Sequence, residues 1–211
     1  MHIPDGFLNV GTVAVTYVAS AGGVGYAVKE ANKKLREKHV PLMGIMAAFI
    51  FAAQMINFPV AGGTSGHLIG AAVATILLGP WASVLIMSAV LIAQSLIFQD
   101  GGLLALGANI FNMAIVASFT AYFLYRLVRM AGDSKNTRII GGFVAAWGSV
   151  LMASIFCALE LGISGASPMN VVLPAMAGIH AIIGIGEGLI TTAALSLVMV
   201  SRADIWQLQK V

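Results

Sequence analysis

The run IIGGFVAAWGSVLMASIFCALELGI, Ile139–Ile163, decides the fold class. Its 25 residues include one charged side chain, Glu160. Coiled as an α-helix it measures about 38 Å, enough to cross the roughly 30 Å hydrocarbon core of a bilayer. Six more apolar runs flank it: Leu8–Val28, Val40–Phe58, His67–Gly79, Trp81–Phe98, Leu103–Val128 and Pro174–Val200. His67–Gly79 is short for a span unless Val60–Gly66 enters the membrane with it. Non-helical backbone survives at that depth only where protein or a water-filled cavity receives its polar groups. The stretch Gly62-Gly63-Thr64-Ser65-Gly66 therefore reads as a loop folded against other protein, with His67 at its end. The expectation is an all-α polytopic membrane protein with seven transmembrane helices, forming one transmembrane domain over residues 1–211.

Composition agrees. Charged residues make up 9% of the 211, against roughly 25% in an ordinary soluble domain. Hydrophobic residues make up 59%, more than a soluble fold of this size can hide. A soluble enzyme, a disordered chain and a nucleic-acid binder are excluded, despite the net charge of +3. The single cysteine, Cys157, supports neither a disulfide framework nor a thiolate metal cluster. No HExxH pattern or nucleophile–base pair is present, so no catalytic role is expected.

The basic residues orient the chain. Lys29, Lys33, Lys34, Arg36 and Lys38 follow the first span, and Arg126, Arg129, Lys135 and Arg138 surround the junction of the fifth and sixth. Arg202 and Lys210 follow the seventh, which completes all eleven Lys and Arg. Seven spans put every one on the side of the C-terminus, which the positive-inside rule makes cytoplasmic. The N-terminus is then outside, with the loops around Val60–Gly66, Gln99–Gly102 and Ser164–Leu173. The charged stretch Lys29–His39 either extends a helix into the cytoplasm or, the preferred reading, is a solvated orientation signal. Ala19-Ser20-Ala21 looks like a signal-peptidase site, but no positive residue precedes Lys29, so the N-terminus is expected to be kept.

That N-terminus carries the most informative chemistry. A bulky second residue such as His2 blocks removal of the initiator methionine, leaving a free amine beside an imidazole. The α-amine of Met1, the backbone nitrogen of His2 and its ring Nδ1 can chelate one ion. The first two nitrogens close a five-membered ring and the second pair a six-membered ring. A deprotonated amide nitrogen favours planar coordination, which suits Ni(II) or Cu(II). His67 is the best candidate for a fourth nitrogen. It lies on the same side, beside a glycine-rich loop that permits close approach of backbone.

Three blocks in order then carry a resemblance to a known family. Met1-His2-Ile3-Pro4-Asp5-Gly6-Phe7-Leu8 resembles the opening signature of the substrate-binding S components of energy-coupling-factor nickel and cobalt transporters, the NikM/CbiM family. Asn57-Phe58-Pro59-Val60 with Gly62–Leu68 resembles the second block. Asp100-Gly101-Gly102-Leu103, Ala105–Asn109 and Asn112-Met113 resemble the third. The resemblance implies that the Met1 amine, the two His2 nitrogens and His67 bind the ion, Ni²⁺ first and Co²⁺ as second candidate. It makes residues 1–8 an extracellular metal-chelating segment. It further implies a six-helix core with one extra N-terminal helix, in a prokaryotic cell membrane. No G-x-x-x-x-G-K-[ST] is present. The energy source the resemblance implies is a transmembrane coupling (T) protein and two cytoplasmic ATPases, with a small auxiliary membrane subunit as a further candidate partner.

Other polar and small residues are open to two readings. Asp5, Asn57, Ser65, Asp100 and Asn109 either orient the ligating groups or cap helix ends and loop backbone. Glu187 and His180, seven residues apart on one helical face, either hold helices together or form the proton site of a secondary metal transporter. Rows of small residues, Gly44–Ala48–Ala52, Ala19–Gly23 and Gly184–Gly188, let helices approach closely. The first row either packs within the chain or, as the resemblance implies, meets the coupling protein.

Overall fold

A computed structural model of the chain describes residues 1–201, Lys38 without its side chain. Arg202 and Lys210, used above for orientation, lie outside the described residues. Seven helices follow one another there: α1 Val10–Lys34, α2 Val40–Gln54, α3 Ala71–Leu78, α4 Pro80–Ile97, α5 Leu106–Arg129, α6 Lys135–Ile163 and α7 Met169–Ser201. Five of them (α1, α4, α5, α6 and α7) are long and apolar enough to cross a membrane. The other two are shorter than a full span.

Helix α1 begins where Asn9 accepts from the Thr12 N–H at 2.8 Å. It runs past the expected end at Val28 to Lys34. The charged stretch Lys29–His39 thus begins as helix, the extension that its sequence allowed, with Lys33 and Lys34 exposed. Glu30 bonds Lys33 at 2.7 Å and lies 4.0 Å from Lys34, and such i,i+3 and i,i+4 pairs support continued helix.

Helix α2 stops at Gln54, short of the expected Phe58. The buried Gln54 turns its amide away to donate to the Ile69 carbonyl at 2.6 Å. The chain then forms a small antiparallel hairpin that pairs Phe58 with Gly66 and Pro59 with Ser65. Its tip turns at Gly62, with φ +75°. A Cβ at Gly63 would sit 2.4 Å from the Met176 sulfur, and one at Gly66 would sit 2.9 Å from both Ile183 and Phe58. The glycine-rich stretch is thus a loop pressed against α7, as its composition predicted.

Helix α3 is brief because it is bounded by left-handed glycines, Gly70 at φ +82° and Gly79 at φ +88°, with Pro80 next. Seven of its eight residues are buried, so it is a core element rather than a lipid-facing span. Helix α5 contains a π-helical stretch, Phe111–Val116, and there Asn112 donates to Glu160 on α6 at 2.6 Å. Helices α6 and α7 pair over their length. Gly184 and Gly188 sit against Trp147 and Phe143, where an added Cβ would lie 3.0 and 2.6 Å from the rings. Gly23 likewise admits Ile115. The remaining small row behaves differently. Gly44, Ala48 and Ala52 are all exposed, and nothing lies within 4 Å of a Cβ added at Gly44. That row does not pack within the described chain.

Candidate metal-binding site

The first five residues fold back into the protein between α4, α5 and the hairpin loop. Ile3 is fully buried and held on both sides of its peptide. Its N–H donates to Asn109 Oδ1 at 2.8 Å, and Asn109 Nδ2 donates back to its carbonyl at 3.1 Å. The Gly102 N–H bonds the same carbonyl at 2.9 Å. Asp5 accepts from the N–H groups of Leu103, Leu104 and Ala105 at 3.2, 2.7 and 3.3 Å. It thereby satisfies the donors that precede α5. A side chain at Gly102 is impossible here: its Cβ would lie 2.0 Å from Asp5 Oδ1.

This anchoring puts Met1 and His2 under the loop that carries His67. The Met1 amino group donates to the Ser65 carbonyl and to its hydroxyl, the latter at 2.8 Å, and the His2 N–H reaches the same hydroxyl at 3.1 Å. Two of the three expected chelating nitrogens therefore share one residue. The rings of His2 and His67 stack, with centroids 4.6 Å apart and planes 27° from parallel.

Each ring has one nitrogen committed and one left over. His2 Nε2 donates to Gln94 Oε1 at 3.0 Å, and His67 Nδ1 donates to the Leu68 carbonyl at 2.7 Å. His2 Nδ1 and His67 Nε2 are buried without a hydrogen-bond partner. A buried, unpartnered imidazole nitrogen is costly unless it has another use, and in these tautomers each presents a lone pair. These are the ring nitrogens that an N-terminal chelate with His67 requires, so the residues present fit a nitrogen-preferring divalent ion. Among the described residues no cluster of three His, Cys, Asp or Glu side chains exists to hold a metal. The expected donor set draws instead on the amine and backbone of the first two residues.

Burial keeps the bases neutral. Desolvation lowers the Met1 amine to about 5 despite the opposing pull of Cys157 and Asp100. It lowers the His2 ring to about 3, aided by the neighbouring amine and opposed by Gln94. Asp100 Oδ1 lies 3.4 Å from His2 Nδ1. With the ring neutral this is not an ion pair but a carboxylate facing a lone pair. Burial raises the Asp100 carboxyl above its usual range. Its other oxygen accepts from Asn57 Nδ2 at 3.1 Å.

The structure brings together Met1, His2, His67, Ser65, Asp100 and Asn109, with Asp5 and Asn57 bracing them. Gly44, Ala48 and Ala52 lie apart, on the exposed face of α2. The Glu187 carboxylate accepts from the N–H groups of Ile69 and Gly70 at 2.5 and 2.8 Å. It holds the loop just after His67. His180 Nδ1 donates to the Met176 carbonyl at 2.8 Å. Two neighbours were not assigned to the site from sequence, although Gln94 belonged to the polar set expected at the outer face. Gln94 fixes the His2 tautomer, and Cys157 donates to the Met1 carbonyl at 3.7 Å. Gln94 had a signal, a polar amide inside an apolar span. Cys157 had none.

Comparison with known proteins identifies the family. Residues 2–205 match the family model described as the cobalt uptake substrate-specific transmembrane region, CbiM. A putative fused nickel transport protein NikMN of Archaeoglobus fulgidus is 43% identical over 97% of this chain and 68% of its own length. Cobalt transport protein CbiM 2 of Pelobacter propionicus is 35% identical, over 94% of this chain and 91% of its own. A crystal structure described as a truncated transition metal transporter superimposes with a TM-score of 0.86 at 37% identity, covering 94% of this chain and 98% of that one. The chain belongs to the CbiM/NikM family of nickel and cobalt transport proteins, as a multi-pass protein of the prokaryotic cell membrane whose role is transport rather than catalysis.

Proposed function

We propose that this chain is the ion-capturing subunit of an ATP-driven importer of the energy-coupling-factor type. It binds Ni²⁺ through the Met1 amine, the His2 amide and Nδ1, and His67 Nε2, with Co²⁺ as the weaker cargo. The observation that carries this reading is the pair of buried, unpartnered ring nitrogens on stacked His2 and His67, beside the N-terminal amine. Four nitrogens with one deprotonated amide set a strong planar field, which Ni²⁺ satisfies better than Co²⁺. Residues 1–8 form the capturing segment and face outward; the basic loops face the cytoplasm. A transmembrane coupling protein, two ATPases and, in some assemblies, a small auxiliary membrane subunit complete the importer. The Gly44–Ala48–Ala52 row is the surface offered to the coupling protein.

One glycine inserted before Met1 tests the chelate. It keeps every side chain but moves the α-amine out of the ring. Calorimetry on purified protein is expected to show tight Ni²⁺ binding for the native N-terminus and its loss on insertion. Equal binding by both proteins would overturn the proposal. The secondary-transporter alternative, with Glu187 and His180 as a proton site, predicts uptake that survives removal of the ATPases. The importer predicts that uptake stops.

A further inference from the structure

The helices that frame the N-terminal site enclose a second space at their other end. A cavity of about 520 Å³ lies between the ends of α1, α3 and α5 and the start of α4. It is the end that carries the basic loops. Lys34, Arg36 and Arg126 line it. The one carboxylate on its wall, Glu30, is taken by Lys33 at 2.7 Å. The ion pairs among the described residues involve neither Arg36 nor Arg126.

Arg126 is held ready. Its Nη1 donates to the Tyr122 hydroxyl at 2.8 Å, and its guanidinium lies 5.4 Å from the centre of that ring. Its remaining N–H donors form a fork suited to two oxygens of a phosphate. The wall beside it is aromatic. Trp81 packs edge-on against Phe119 at 4.7 Å, as amphipathic rings do at headgroup level. From this mouth an apolar strip continues along α5. Phe123 is 62% exposed and Leu127 63% exposed, and Phe123 touches the rings of both Phe119 and Tyr122.

We propose that this cavity binds the anionic phosphodiester headgroup of a membrane phospholipid, with Arg36 and Arg126 on the phosphate. The acyl chains run from it along Phe123, toward the middle of the membrane. Excess cationic charge calls for an anion, and basic pockets between helices at this level are suited to phospholipid headgroups. The exposed apolar strip at the mouth selects a lipid over a free phosphate ester, which has nothing to place on it. The site is separate from the metal centre and does not depend on the function proposed for it.

Native mass spectrometry of the full chain released from nanodiscs of equal phosphatidylglycerol and phosphatidylcholine tests this. The wild type is expected to keep a phosphatidylglycerol adduct. Arg36→Gln with Arg126→Gln should lower its occupancy about 30-fold, with Ni²⁺ binding unchanged. Lys29→Gln with Lys135→Gln, which removes the same charge elsewhere, should keep it. Should the double arginine variant fold poorly, Tyr122→Phe alone loosens Arg126 and should cut occupancy about threefold. Unchanged occupancy in both arginine and tyrosine variants would overturn the proposal. So would equal loss in the lysine control, or phosphatidylcholine held as tightly. Displacement by millimolar glycerol 3-phosphate would assign the site to a soluble ester, and the lipid reading would fall. It would fall equally if the arginine variant kept its lipid but lost a co-expressed transmembrane partner.

Discussion

At the scale of single residues, proton competition separates this site from a flexible peptide of the same composition. The Met1 amine is held at about 5 rather than 8.0, and the His2 ring at about 3 rather than 6.5. Both folded values are lowered, so both groups are already neutral in the metal-free protein above about pH 6. Planar chelation then releases one proton, from the His2 amide, and Ni²⁺ affinity should rise about tenfold per pH unit between about pH 6 and 8. An exposed Met-His peptide must also shed its amine proton below 8 and its ring proton below 6.5. Calorimetry at about pH 6 in buffers of different ionisation heat should count about one proton per ion for the protein and between two and three for the peptide. Equal counts would show that burial does not prepare the ligands. The anchoring residues act through position. Asn109→Ala strands the buried Ile3 N–H and carbonyl, a loss of about 1–3 kcal/mol. Ni²⁺ affinity should therefore fall about 10- to 100-fold while the helical content is retained.

Single glycines decide how elements meet around the site, and they do so with opposite signs. Gly102→Ala would put a Cβ 2.3 Å from the Asp5 backbone nitrogen. The N-terminal segment must then leave its seat, and Ni²⁺ binding should drop at least about tenfold. Gly22→Ala lies in α1 with nothing within 4 Å of the new methyl. It should leave binding intact and raise stability by about 1 kcal/mol or less. A thermal melt beside a binding isotherm checks both, and a harmless Gly102→Ala would mean the segment is not docked as described. The same contrast shows what the sequence made legible. Long apolar runs revealed α1, α4, α5, α6 and α7, because burial in lipid leaves a compositional trace. The glycine-rich loop before His67 was legible for the same reason, since only close packing explains so many small residues there. Helix ends were less so: α1 outran its apolar run because Glu30 and Lys33 pair along the helix, and α2 fell short because Gln54 serves Ile69 instead. The proposed donors Met1 and His2 could be named from sequence because covalent geometry sets their three nitrogens side by side along the chain. Gln94 and Cys157 reach the site only through tertiary packing, which spacing along the chain does not encode.

Across the whole molecule, the candidate metal site and the exposed small row of α2 lie on different faces. The nitrogens sit under the hairpin loop, whereas the small row of α2 looks outward with Ile45 and Phe49, 68% and 49% exposed, beside it. Helix α2 buries few of its own residues, so an apolar face remains for lipid or for another protein. Small side chains on such a face favour a helix partner, because backbones can approach where lipid gains nothing. If the coupling protein docks there, bulk should uncouple transport without touching capture. Gly44→Leu with Ala48→Leu is expected to bind Ni²⁺ with unchanged affinity and to fold normally, since the added atoms at Gly44 enter open space. In cells that also make the coupling protein and ATPases, ATP-driven uptake should fall about tenfold or more, and the variant should no longer co-purify with its partners. Normal uptake by this variant would move the docking surface off α2. Loss of Ni²⁺ binding would instead show that the outward face supports the ion site, contrary to the separation of the two in the fold.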